Sequence, residues 1–192
     1  MIHNPPARAK KAQAFVEVSD ALRSPVTRKL LDYWHSVRGA KARPRLRDFD
    51  MMALYEIAPF VTIRDAVDGG ADFRCRFWGT RLREFFNVEA TGKLLSETYN
   101  ARSADALRSR IQLAMESEKP VRVVAVVELV ETHYPKTYEA VWLPLNNDAG
   151  EPAHAVAVFD IDYEMTPEEA EHNCGPENWI RHCYPSKQNG VP

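Results

Sequence analysis

No stretch of this 192-residue chain approaches the ~20 consecutive apolar residues needed to span a bilayer, and the Met1-Ile2-His3-Asn4-Pro5-Pro6 start has no apolar run of the secretory kind. The expectation is a cytoplasmic protein without membrane insertion. Cysteine is scarce. Cys75, Cys174 and Cys183 are odd in number and widely scattered, which excludes a disulfide framework. An excess of one charge is missing too: 25 Lys and Arg against 27 Asp and Glu leave a formal net charge of −2, so the overall charge gives no reason to expect nucleic acid. Neither a Gly-rich phosphate loop nor an ordered Ser, His and Asp set with a nucleophile turn is found, and the reading is of a non-catalytic protein. What is there is apolar substance. With 45% hydrophobic residues, a chain of this length buries roughly two thirds of its unfolded surface and needs neither metal nor disulfide to hold a core.

The near-zero charge conceals an asymmetry. Residues 1–47 carry eleven Lys or Arg against three acids, whereas 160–177 carry seven acids and no Lys or Arg. The chain therefore divides into a basic N-terminal helical extension over 1–47, a central domain over 48–165, and a tail over 166–192 that is acidic and then contains Cys and His. Lys41, Arg43, Arg45 and Arg47, broken by Pro44, read as an extended solvated linker or as a strip pairing with the acidic tail.

The Ala- and Lys-rich stretch up to Leu22 suggests a weak helix. A stronger one starts at Ser24-Pro25, where serine caps free amides and proline fits the first turn, and stops at Gly39. Val26, Leu30, Leu31, Trp34 and Val37 form its apolar face. A short helix over Met51 to Ile57 precedes two strands, Phe60 to Val67 and Asp72 to Trp78, joined by Asp68-Gly69-Gly70. The second strand alternates, which places Phe73, Cys75 and Phe77 on one face and Arg74, Arg76 and Trp78 on the other. Short helical pieces follow from Arg81. Ser103 then caps an amphipathic helix running to Glu118, and three strands close the domain: Val121 to Val130, Thr137 to Leu145 and Ala153 to Asp162. Two strands, a helical crossover and three strands make an α+β fold with an antiparallel sheet and helices on one face. Val123 to Val127 lacks polar alternation, so the other face must also be covered, by the Pro25 to Val37 helix or by a second subunit.

Leu31-Asp32-Tyr33-Trp34, Arg38-Gly39, Pro44, the strand end Arg74-Cys75-Arg76-Phe77-Trp78-Gly79-Thr80-Arg81-Leu82, and Thr91-Gly92-Lys93, taken in order, resemble a PAS domain. More narrowly, they resemble the stand-alone PAS-like proteins common in alphaproteobacteria. The resemblance runs from about Leu30 to Asp162. It implies a five-stranded antiparallel sheet, short helices on one face, an N-terminal amphipathic helix, and a cavity between sheet and helices. The implied function is a sensory or regulatory module acting through protein contacts. Fold alone leaves open whether it binds a small molecule or serves as a ligand-free adaptor, with a cone-shaped α+β enzyme as a more distant alternative.

Phe77, Phe85, Leu95 and Leu107 are candidates to line the cavity, together with Ile111, Met115, Tyr138 and Trp142. Leu30, Leu31, Trp34 and Val37 are candidates for a dimer or partner contact, and the partners expected are a second copy, another regulatory protein and a small-molecule ligand. Arg74 and Arg76 would hold a carboxylate only if their strand faced the other way. No cofactor is named. Haem needs an axial ligand, and His35, His133 and His154 fall on the N-terminal helix, a turn and the last strand. Arg74-Cys75-Arg76-Phe77 lacks the asparagine of the photoactive flavin signature. Finally, His172, Cys174, His182 and Cys183 have no recognised zinc-finger spacing and read as ordinary tail residues.

Overall fold

The computed structural model describes residues 9–129 and 135–174. Six antiparallel strands form one sheet in the order β1-β4-β5-β6-β2-β3: β1 (Ala9–Val18), β2 (Val61–Val67), β3 (Asp72–Trp78), β4 (Val121–Leu129), β5 (Pro135–Asn146) and β6 (Pro152–Asp160). Among the described residues five α-helices accompany them, besides short 3-10 turns: α1 (Pro25–Arg38), α2 (Thr80–Phe86), α3 (Leu95–Thr98), α4 (Ala101–Ser117) and α5 (Pro167–Cys174).

The sixth strand is the first departure from the sequence expectation. Ala9–Val18 is extended, and Ala12 to Val18 pair with Val127 to Val121. A helix there would satisfy its own backbone but leave β4 as an open edge, so the tertiary ladder overrides the helical composition.

Helix α1 forms where its end signals lie. The Ser24 hydroxyl accepts from the Val26 and Thr27 amides, Pro25 occupies the first turn, and Gly39 closes the helix at φ 54°. Its apolar stripe lies on the outer sheet face, where Leu30, Leu31 and Trp34 pack with Val141, Leu143, Val156 and Val158. The Trp34 indole donates to the Pro144 carbonyl at 2.9 Å. Leu30, Leu31 and Trp34, expected at a dimer or partner contact, are buried inside their own chain, while Val37 is half-buried.

The rest of the outer face is covered by the C-terminal piece. Tyr163, Met165 and Ala170 form a small core with Val124 and Val126 of β4. Glu169 binds Arg122 and accepts from the Thr166 amide and the Tyr163 hydroxyl. The segment expected to be a solvated acidic end is thus docked up to α5. Burial pushes the Glu169 carboxyl up, but Arg122, the Thr166 amide and Tyr163 outweigh it and hold it below its ordinary 4.5. A lowered folded-state pKa contributes stability above the unfolded value, and that stability is lost as pH falls through the folded value. Acidification below about pH 4.5 should therefore loosen α5 first, read as earlier amide exchange in 167–174 than in β5. Equal protection of both down to global unfolding would contradict this.

The basic strip is likewise pinned. Arg43 is buried, donating to the Met115 carbonyl at 3.1 Å and pairing with Glu118 at 2.8 Å, and Arg47 lies 3.4 Å from Asp148. Its partners are acids of the central domain rather than of the tail. Helix α4 starts one turn earlier than Ser103, because the Asn100 side chain accepts from the Ser103 amide and so caps it.

Gly79 marks a close approach. A Cβ there would lie 2.2 Å from the Pro59 carbonyl oxygen, while the Gly79 amide donates to Val61 O at 2.9 Å. Gly79→Ala should destabilise by about 2–3 kcal/mol, the upper range for overpacking because backbone must move. Chemical denaturation checks this, and a loss below 1 kcal/mol would mean that the Pro59 turn yields freely.

Candidate functional site

On β2, side chains alternate about the sheet: Val61 and Ile63 join the outer core, which sends Thr62 and Arg64 to the inner face. β3 does not alternate simply. Ile63 pairs with Phe77 and Arg64 with Cys75, so Arg76 is an extra residue and the strand bulges. The bulge corrects the face expected of Phe77. Phe73, Cys75 and Trp78 face inward, while Phe77 packs on the outer core. Arg74 and Arg76 are exposed; Arg74 donates to Gly92 O at 2.8 Å and Arg76 to Asp65 at 2.9 Å. His154 also meets Asp65 on that outer face, at 2.7 Å.

Between the inner face and α4 lies a cavity of about 110 Å³. Its sheet side is made by Thr62, Arg64, Trp78, Ala125, Val127, Tyr138, Trp142 and Phe159, and its helix side by Phe86, Tyr99, Ser103, Ala106, Leu107 and Arg110. Ala106 is exposed and Ser103 half-buried, so the cavity reaches solvent beside α4. Edge-to-face contacts stiffen the aromatic wall: the rings of Phe86 and Phe159 are 5.8 Å apart and those of Trp142 and Phe159 6.0 Å.

The polar content of this wall is cationic. Arg64 is fully buried, its guanidinium carbon 5.1 Å from the centre of the Trp78 ring. Arg110 is half-buried and donates to the Tyr138 hydroxyl at 3.4 Å. Burial raises the Tyr99 phenol, and the nearby Arg64 charge partly opposes that rise. Burial also raises the Cys75 thiol, again against the Arg64 charge, which keeps it a thiol at neutral pH. No Asp, Glu, His or Cys stands among the described lining residues. Such a pocket can hold and orient an anion or an electron-rich ring, and its wall supplies no carboxylate or imidazole base.

Of the residues expected at the cavity, Leu107, Tyr138 and Trp142 line it. Leu95 and Ile111 are fully buried in the core around it without reaching its wall, and Met115 is half-buried at the edge of that core. Phe85 is buried facing a second, more polar cleft with Arg81, Lys136 and Tyr163, and the Lys136 ammonium sits 4.9 Å from its ring centre. Phe77 is on the opposite face. Arg64, Arg110 and Trp78 were missed, although an arginine inside the β-branched run of β2 is a signal: one that is charged and inward must meet something.

The tail cluster falls mostly outside the described residues, which include neither His182, Cys183 nor the Cys174 side chain; His172 packs edge-on against Phe15 at 4.6 Å. Among the described residues no group of three or more His, Cys, Asp or Glu could hold a metal ion, and no helix is long and apolar enough to cross a membrane.

Comparison with known proteins bears on this arrangement at the level of family. The family model described as PAS domain matches residues 22–159. No curated protein matches the chain. Among solved structures, an RNA-binding light-oxygen-voltage receptor is similar at 14% identity and TM-score 0.38, over 81% of this chain and 39% of that one. A sensory box histidine kinase/response regulator from Burkholderia thailandensis is similar at 12% identity and TM-score 0.36, over 57% of this chain and 82% of that one. This chain thus spans well under half the length of the receptor.

Proposed function

The chain belongs to the PAS domain family, and from that premise we propose that it is a sensory module whose inner cavity takes a small molecule and whose occupancy is passed on by protein contacts. A PAS domain is a sensory module, generally without catalysis of its own. The observation that carries the finer reading is the cavity itself: aromatic, open beside α4, and containing a fully buried arginine. A domain built only to hold partners has no use for a buried cation in a cavity wall that carries no counter-charge, since desolvating an ion costs several kcal/mol.

The contacts proposed are with a regulatory protein and with a second copy of the chain, giving a homodimer in the cytoplasm. A dimer of this kind would leave α1 in place, since α1 is part of the folded core.

Native mass spectrometry of the full chain, purified without added ligand, tests both halves. The expected spectrum shows a homodimer of the 21.9 kDa chain with a reproducible extra mass that is released on denaturation. A clean ligand-free mass would favour the adaptor over the sensor, and a monomer at working concentration would remove the homodimer.

A further inference from the structure

Arg64 has no exposed surface, and its Nε, Nη1 and Nη2 make no hydrogen bond of good geometry; the Tyr99 hydroxyl interacts with it but carries no charge to offset the guanidinium. Among the described residues Arg38, Arg43 and Arg108 each have a buried Nε without such a partner, whereas Arg64 lacks one at all three nitrogens. Its neighbours are neutral: the Trp78 face, the Tyr99 phenol and the Cys75 thiol. The Thr62 hydroxyl donates to Phe77 O at 2.9 Å and accepts no bond from Arg64. Nearby acids are engaged elsewhere: Asp65 faces outward to Arg76 and His154, Asp72 is held by Ser96 and the Phe73 amide, and Glu89 accepts from the Thr91 amide. A second arginine, Arg110, lines the same cavity from α4, and no carboxylate lines it.

A buried cation with five donors and no anion is a costly arrangement unless an anion joins it. Because this cation stands in the wall of an open cavity, the missing anion is one that arrives from solution. We infer that the cavity binds a small organic monocarboxylate, its carboxylate at Arg64 with Arg110 at the entrance, and its short apolar or aromatic body against Phe86, Trp142 and Phe159. The guanidinium fork matches a carboxylate in bidentate geometry, and the apolar remainder of the wall disfavours a strongly hydrated inorganic ion. The volume sets the body. About 110 Å³ is smaller than the roughly 150 Å³ cavity that admits benzene, which limits the enclosed body to a few carbons, a ring being held only with its far edge at the open side beside α4.

This inference rests on the reading of the cavity as a ligand pocket and is tested apart from it. The full chain is titrated with butyrate and benzoate, and with butyramide and benzamide as uncharged counterparts, following the melting temperature and the heat of binding. The carboxylates should bind and raise the melting temperature; the amides should not. Arg64→Met should weaken carboxylate binding at least 30-fold while raising the ligand-free melting temperature by several degrees, since an unpaired buried charge has been removed. Arg110→Gln, at a half-buried site that tolerates change, should weaken it about 3- to 10-fold. Equal binding of acids and amides would overturn the carboxylate assignment and leave the ligand pocket standing. Binding of no probe, together with a bare native mass, would overturn both. If Arg64→Met does not fold, an unchanged carboxylate affinity in Arg110→Gln together with amide binding would overturn the assignment by itself.

Discussion

Glu139→Ala should lower stability by about 3–5 kcal/mol, the loss expected when one member of a buried ionic network is deleted. The Glu139 side chain is fully buried on β5 and faces the N-terminal end of α1. Its two oxygens accept from the Arg23 amide at 3.1 Å, the Ser24 amide at 2.7 Å, the Thr27 hydroxyl at 2.6 Å and Arg122 Nε at 2.7 Å. Alanine would leave the Arg23 and Ser24 amides without that acceptor and remove the anion that complements the positive end of the helix. Arg122 would keep Glu17 and Glu169, so the damage should concentrate at the start of α1. Urea unfolding measures the total, and amide exchange at Val26 and Thr27 reads its location. Glu139→Gln, which keeps a side-chain oxygen as acceptor, should lose less than Glu139→Ala. A single-mutant loss under 1 kcal/mol would mean that water reaches the site.

The second large effect is expected at Trp34. Trp34→Ala should destabilise by about 3–5 kcal/mol, since the indole is 1% exposed and fills the space between α1 and strands β5 and β6. It would also strip the Pro144 carbonyl of its donor. Trp34→Phe keeps most of the volume and loses that bond, for an expected loss of about 1–2 kcal/mol. The contrast with a partner contact is direct. Were the tryptophan an interface residue, Trp34→Ala would change the mass measured by light scattering and spare the unfolding midpoint; the structure calls for a shifted midpoint.

How much of this was visible in the sequence depends on which forces act locally. Helix α1 was legible because Ser24, Pro25 and Gly39 act within a few residues of themselves and the apolar stripe is periodic. The family was legible through the order of its elements. β1 was not, because the Ala- and Lys-rich stretch is helical in composition and only a partner strand more than a hundred residues away makes it extended. Phe77 was misplaced by a single extra residue, Arg76, since a bulge inverts the parity of everything beyond it and leaves no mark in composition. Among the site residues, Leu107, Tyr138 and Trp142 follow from periodicity, while Arg64 and Arg110 break the apolar pattern that a search for cavity walls looks for. The docking of the acidic segment depends on Arg122, a single cation set in a mostly apolar strand, which a net-charge profile averages away.

The bond between the Ser24 amide and Glu139 joins residues 115 positions apart. At about 5–20 residues per second, ribosomal synthesis separates the two by roughly 6–23 seconds. During that interval α1 has its sequence signals but neither its anion nor the sheet that buries Trp34, and β1 waits equally long for β4. The nascent chain therefore carries an amphipathic, basic segment with an uncovered apolar stripe until β5 emerges. The last strands made, β5 and β6, decide when that stripe is covered.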